Sequence, residues 1–258
     1  MKKAFLCLLV ALWSVVSPIV VQGKKRLTIH LTSYNIQHGK GFDGKIDYAR
    51  QADVLLKAKA DVVAIQEVDS VTRRSGGLYS LEEIGKRAGM YSTFAPAIDF
   101  QGGKYGIGIL SKTQPISSHR IPLPGREESR MLLVAEFKHY VVACTHLSLT
   151  ETDRLSSIPL IVEEAARWQK PFILMGDLND EPGSPFYRKL QECFVFLNSP
   201  KENTYPAEEA KVCIDHIAVF SSSKNASKSP IIFCQGTNVG KEPFSDHLPL
   251  HAKLSIRK

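Results

Sequence analysis

Residues 131–180 read MLLVAEFKHYVVACTHLSLTETDRLSSIPLIVEEAARWQKPFILMGDLND. Met131 to Phe137 and Tyr140 to Thr145 are apolar runs with strand character, following one another directly. Glu151 to Trp168 then places Leu155, Ile158, Val162, Ala165 and Ala166 on roughly one face, which predicts a helix. Phe172 to Met175 returns to a short strand. Consecutive strands and strands separated by a helix therefore occur within one stretch.

The same mixture continues outward. Strand-like runs cover Leu27 to Tyr34, Val62 to Gln66, Tyr105 to Leu110, Ile214 to Phe220, Ile231 to Cys234 and Leu248 to Leu254. Helices are predicted over Asp47 to Lys59, with Ala49, Ala52, Leu55, Leu56 and Ala58 on one face, and over Ser80 to Ala88. Many strands with few helices, some consecutive and some alternating, predict an α/β fold of two packed sheets flanked by helices, rather than one doubly wound sheet.

The chain has 258 residues, 43% of them hydrophobic, with no internal repeat and no Pro/Gly/Ser-rich bridge, so a single ordered domain is expected. Lys2 and Lys3, an apolar run from Ala4 to Val21, and charge at Lys24, Lys25 and Arg26 form a secretory signal pattern. Cleavage near Val21-Gln22-Gly23 would leave residues 24–258 as the domain, periplasmic or secreted. An uncleaved anchor is the alternative, because the run approaches the ~20 residues that span a bilayer. Pro18 favours cleavage.

The formal charge is +7. Removing residues 1–23 takes away two lysines and no acids, leaving +5. A basic surface suits a phosphate-bearing polymer or an anionic lipid face, and equally suits simple solubility, so charge does not choose a substrate. Cys144, Cys193, Cys213 and Cys234 match no zinc spacing, and Cys144 and Cys213, in apolar runs, read as buried thiols.

Polar residues gather at the strand ends: Asn35, Glu67, His146, Asp177 with Asn179, and Asp246 with His247, while Asp215 stands within its strand. Hydrolysis of a phosphate ester needs charge neutralisation by a hard cation with oxygen ligands, a positioned water, and stabilisation of the leaving oxygen. These carboxylates, amides and imidazoles supply all three. Singly, each is better read as a cap, a turn or a solvated charge.

In order, however, Ser33-Tyr34-Asn35-Ile36, Ile65-Gln66-Glu67-Val68, Thr145-His146-Leu147, Gly176-Asp177-Leu178-Asn179, Ile214-Asp215-His216-Ile217 and Ser245-Asp246-His247-Leu248-Pro249 resemble the motifs of the endonuclease/exonuclease/phosphatase superfamily. The resemblance implies a four-layer α/β/β/α sandwich of two mixed sheets with helices outside. It implies Mg²⁺ or Mn²⁺ held by Glu67 with Asn35 and Asp246. Asp177 would orient and deprotonate the attacking water, helped by Asn179. His247, fixed by Asp215, would contact the phosphate, and His146 would face it as a second imidazole able to protonate the leaving oxygen.

Substrate choice rests on further residues. Arg73-Arg74-Ser75-Gly76-Gly77 and Gly102-Gly103-Lys104-Tyr105-Gly106 read either as ordinary turns or as a grip in which Arg74 and Tyr105 reach a phosphate. Arg130, after Glu127 and Glu128, fits the same grip. With His38-Gly39-Lys40-Gly41, this combination resembles compact bacterial members related to the lipid-remodelling proteins of glycosylphosphatidylinositol anchors. The expectation is a phosphoesterase, acting as a monomer, for a phospholipid headgroup or small ester at a membrane surface. A secreted nuclease is the alternative, and it lacks a long basic loop. A binding module without activity would not need the full set of groups.

Overall fold

The computed structural model describes residues 26–221 and 232–257. The export segment read at 1–23 lies outside them. One sheet contains β1 (Arg26–Asn35), β2 (Val62–Ser70), β3 (Tyr91–Phe100), β4 (Gly103–Ser111), β11 (Ile232–Val239) and β12 (Leu250–Arg257), in the order β11-β12-β1-β2-β4-β3. The other contains β5 (Ser117–Leu123), β6 (Arg130–Glu136), β7 (Val141–His146), β8 (Phe172–Asp177), β9 (Phe194–Phe196) and β10 (Asp215–Phe220), in the order β5-β6-β7-β8-β10-β9.

Both sheets are mixed. β1 and β2 run parallel, joined by helix α1 (Tyr48–Lys57), and β7 and β8 run parallel, joined by α3 (Glu151–Ala166). The remaining pairs are antiparallel. Helices α2 (Ser80–Ala88) and α4 (Pro185–Gln191), with a short 3-10 turn at Gln37–Gly39 after β1, complete the set.

Strand alternation builds the layers, because successive side chains leave a strand on opposite faces. Leu31, Val62 and Ala64 meet Val142, Cys144, Ile173 and Met175 in the core between the sheets. Their neighbours turn outward: Val63 and Ile65 pack with Leu55 of α1 and Ile84 of α2. Val141, Ala143, Phe172 and Leu174 pack with Ile158 and Ile161 of α3 and Phe186 of α4. The result is the expected four-layer α/β/β/α sandwich.

The sequence pattern missed β3, β5, β9 and α4. β3, β5 and β9 are edge strands, and β5 is exposed along most of its length. Pro96 in β3 and Pro122 in β5 sit where a missing N–H is tolerated. Edge strands bury only part of a face, so they carry no clean apolar alternation. α4 spans only seven residues, too few for a helical period to show. β11 also extends to Val239, well beyond its apolar start.

Candidate active site

The inward-facing parity of the central strands carries polar residues to one mouth of the sandwich. On β1 it runs from Leu31 through Ser33 to Asn35, on β7 from Val142 through Cys144 to His146, on β8 from Ile173 through Met175 to Asp177, and on β10 from Ile217 back to Asp215. Glu67 breaks parity. The β2/β4 register shifts between Ile65 and Val68, and Glu67 takes a left-handed φ of 59°. This bulge returns Val68 to the outer core while leaving Gln66 on the inner side, its Nε2 3.4 Å from Cys144 Sγ. A non-glycine residue in this conformation costs free energy, and such outliers gather at functional sites. Asn179, with φ 51°, is a second one.

Gly176 lets the two central strands approach. A Cβ there would lie 2.0 Å from the Thr145 carbonyl oxygen. Its absence sets His146 beside Asp177 in register.

Asn35 is the hub. Its Nδ2 donates to Glu67 Oε1 at 3.1 Å and to Asp177 Oδ2 at 3.1 Å, and lies 3.5 Å from His247 Nε2. Asp177 Oδ2 also faces His146 Nε2 at 3.5 Å and His247 Nε2 at 3.7 Å, while Asp177 Oδ1 accepts from the Asn179 backbone N–H at 2.9 Å. Asp215 Oδ2 lies 2.8 Å from His247 Nδ1. Asp177, Asp215 and His247 are buried, Glu67 and Asp246 half-buried. Eight sequence-selected groups thus come together, Asp246 joining them through the His247 loop.

The two imidazoles differ in charge. Burial alone would lower His247, but the charge and hydrogen bond of Asp215, with Asp177 and Asp246 adding, carry it up to about 10. Burial pushes His146 down to about 4, and the Arg130 and His247 charges act in the same direction against Asp177. At neutral pH His146 is therefore an uncharged hydrogen-bonding ring, and protonating a leaving oxygen would require it first to gain a proton.

Two donor sets bear on a metal ion. Asp177, Asp215 and His247 each offer an atom, all within 4.8 Å of one another. Asp215 Oδ2 and His247 Nδ1 are already spent on each other, and Thr204 Oγ1 donates to the same oxygen at 2.6 Å. Glu67 and Asp246 suit a hard cation better. Burial, then the facing charges of Asp246 and Asp177, push Glu67 up to about 7 against the Asn35 hydrogen bond. Burial likewise raises Asp246, with Asp177 adding. Mutually repelling, partly desolvated carboxylates are the deficit a divalent cation relieves. Asn35 fits as a ligand only with its amide turned over, since it now points Nδ2 at the carboxylates and Oδ1 at the Gln37 N–H.

Arg74, Tyr105 and Arg130, read from the sequence as a possible grip, lie on one flank. Tyr105, Glu128, Arg130 and His146 line a small hollow beside the hub. Arg130 is 6% exposed, pairs with Glu127 at 3.4 Å and Glu128 at 3.2 Å, and keeps its Nε buried without a partner. Arg74 donates through Nε and Nη2 to the buried Asp69 at 2.7 and 3.0 Å, and stacks over Phe100 and Tyr105. Much of its hydrogen-bonding capacity thus holds its own loop.

The sequence reading overlooked Thr204, Tyr205, Asp69 and Ser245. Thr204 braces Asp215, and the Tyr205 ring centre lies 4.8 Å from that of His247. Ser245 Oγ donates to the Asn35 carbonyl at 2.7 Å, tying the His247 loop to β1. Ser245 lay within a recognised motif. Thr204 carried no signal, standing eleven residues before Asp215 in an irregular stretch.

The model of the endonuclease/exonuclease/phosphatase family matches residues 32–247. No curated protein sequence matches the chain. Among solved structures, an endonuclease/exonuclease/phosphatase family protein from Bacteroides thetaiotaomicron is similar, with a TM-score of 0.72 and 16% identity, over 90% of this chain and 96% of that one. A mannosyl-6-phosphatase from the same species scores 0.68 at 15% identity, over 88% and 99%. The human Nocturnin catalytic domain with bound sulfate scores 0.65 at 17% identity, over 90% and 97%. At these identities the likeness establishes the shared fold.

Proposed function

The chain belongs to the endonuclease/exonuclease/phosphatase family, whose members are hydrolases of phosphoester bonds, and from that premise we propose that it is an exported, divalent-metal-dependent phosphoesterase acting on a phospholipid headgroup or a small phosphate ester. The observation that carries this reading is the hub. One amide, Asn35, lies within 3.5 Å of a carboxylate suited to a cation, a carboxylate suited to a water, and a braced imidazole.

Glu67, Asp246 and Asn35 would hold Mg²⁺ or Mn²⁺. The cation, when bound, neutralises charge on the phosphate oxygens and polarises phosphorus. Asp177 Oδ2, with Asn35, His146 and His247 around it, would orient a water and take its proton. Asn179 stiffens this carboxylate through its backbone N–H, and its side chain is held by the Leu147 carbonyl at 2.9 Å. Asp215 accepts from His247 Nδ1–H, and because the same carboxylate keeps the ring protonated at neutral pH, Nε2–H is a second donor, available to a phosphate oxygen. His146 adds a neutral hydrogen bond. Arg130 and Tyr105, beside His146, are the candidate contacts for the rest of the substrate, with Arg74 behind them.

The lipid preference is supported by the resemblance of His38-Gly39-Lys40-Gly41 and the Arg73–Gly77 segment to the compact bacterial lipid-remodelling subgroup. Hydrolysis of p-nitrophenyl phosphate, bis(p-nitrophenyl) phosphate, plasmid DNA and mixed phospholipids with Mg²⁺ or Mn²⁺ tests the assignment. Turnover of lipid or small esters well above DNA supports it. Preferential DNA cleavage would replace it with the nuclease reading.

A further inference from the structure

Eleven large hydrophobic side chains are exposed among the described residues. Six of them, Phe42, Val71, Leu78, Tyr79, Leu149 and Tyr205, lie at the catalytic end. Phe42 follows Asn35 in the loop after β1, Val71, Leu78 and Tyr79 follow Glu67 in the loop after β2, and Leu149 follows His146 after β7. The Tyr205 ring lies tilted against that of His247. Leu149 is 67% exposed, Tyr79 56% and Leu78 46%. Exposed apolar residues scattered singly are ordinary, whereas their concentration around one mouth is not.

The loop of residues 71–79 displays its apolar side chains from a fixed frame. The Val71 N–H donates to the Leu78 carbonyl at 2.9 Å and the Gly77 N–H to the Thr72 carbonyl at 3.0 Å. Thr72 Oγ1 donates to buried Asp69 at 3.0 Å, and Arg74 donates twice to the same carboxylate. The inner half is thereby pinned, and Val71, Leu78 and Tyr79 are held outward. Cations sit among them. Arg73 is exposed on the same loop and Lys40 stands two residues before Phe42, and neither side chain forms an ion pair among the described residues.

We infer that the catalytic mouth is also a docking surface, which seats on an anionic lipid bilayer through the loop of residues 71–79 together with Phe42 and Leu149. Apolar side chains interleaved with uncompensated cations match anionic headgroups above hydrocarbon. The catalytic groups are recessed behind this rim, so docking presents a headgroup to them. The inference rests on the phosphoesterase reading for its substrate but not for its binding.

The test places a tryptophan at Leu78 (L78W), at Leu149 (L149W) and, as control, at Leu56 (L56W), which is exposed near the far end of α1. Emission of the full chain is read with vesicles of brominated phosphatidylcholine, with and without phosphatidylglycerol. The wild type subtracts the contribution of its own Trp13 and Trp168. The expected result is quenching and a blue shift at 78 and 149, stronger with phosphatidylglycerol, and neither at 56. Adding Arg73→Gln should weaken vesicle binding read at 149 by about fivefold, since each surface cation is worth ~1 kcal/mol near an anionic leaflet. Equal quenching at all three positions, or none at 78 and 149, overturns the inference. A vesicle-free spectral change at 78 and 149 that grows with protein concentration would assign the face to a second copy and overturn it too. Hydrolysis of p-nitrophenyl phosphate, bis(p-nitrophenyl) phosphate and the vesicle phospholipid separates the two claims. Hydrolysis without quenching sinks the docking alone, and quenching without hydrolysis sinks the phosphoesterase reading alone.

Discussion

Asn35 Nδ2, at the end of β1 in one sheet, donates a 3.1 Å hydrogen bond to Asp177 Oδ2, at the end of β8 in the other. This bond joins the two sheets where their cores give way to the catalytic mouth. Asn35→Ala would leave Asp177 and Glu67 facing each other without their shared donor. Loss of a buried hydrogen bond to charged groups costs about 1.5–3 kcal/mol. Urea unfolding in EDTA should show a loss of that size, with phosphoesterase activity falling at least tenfold. Unchanged stability and activity would remove Asn35 from the centre of the site.

Thr204→Val deletes the 2.6 Å hydrogen bond to Asp215 while keeping the side-chain shape. His247 would then be less firmly oriented. We expect kcat to fall about ten- to a hundredfold, as for one charge-assisted hydrogen bond, with KM little changed, and Thr204→Ser to restore most of the rate. Equal loss in both variants would point to packing instead.

Gly176→Ala forces a Cβ to within 2.0 Å of the Thr145 carbonyl, at a φ of 152°. Backbone cannot yield as a side chain tip can. Destabilisation by about 3 kcal/mol or more is expected, with activity lost as His146 and Asp177 separate. Thermal melting and turnover check both.

Glu127, paired with Arg130 on the flank of the site, offers a dependence of stability on pH. Burial opposes its ionisation, but hydrogen bonds from Ser148 and the Leu149 N–H, with Arg130 nearby, hold it down at about 2 against an ordinary 4.5. A depressed folded-state pKa gives stability that is complete above about 4.5 and is lost as pH falls toward 2. Glu127→Gln should lower stability at pH 7 by about 1 kcal/mol after allowance for exposure, and the difference should shrink between pH 4.5 and 2. A difference constant across that window would contradict the assignment.

The central strands were legible because they alternate between two buried faces, as Val62 to Ile65 and Val141 to Cys144 do. β3, β5 and β9 were not, since an edge strand half in solvent needs no such pattern. Asn35, His146 and Asp177 could be placed at one mouth from strand ends alone, whereas Asp215, read within its strand, is the first residue of β10. The bulge that redirects Glu67 could not, because it depends on pairing with β4. Thr204 and Asp69 were illegible for a related reason. Each acts by hydrogen-bonding another side chain across an irregular loop, which leaves no period in the sequence.

The most direct test of the central claim is hydrolysis of bis(p-nitrophenyl) phosphate with Mg²⁺ or Mn²⁺, with excess EDTA, and by Asp177→Ala. Turnover that EDTA abolishes, that added metal restores, and that the substitution lowers by about 10²–10⁴-fold is the predicted result. Turnover unaffected by EDTA, or retained by a folded Asp177→Ala protein, would contradict a metal-assisted attack of water at this mouth.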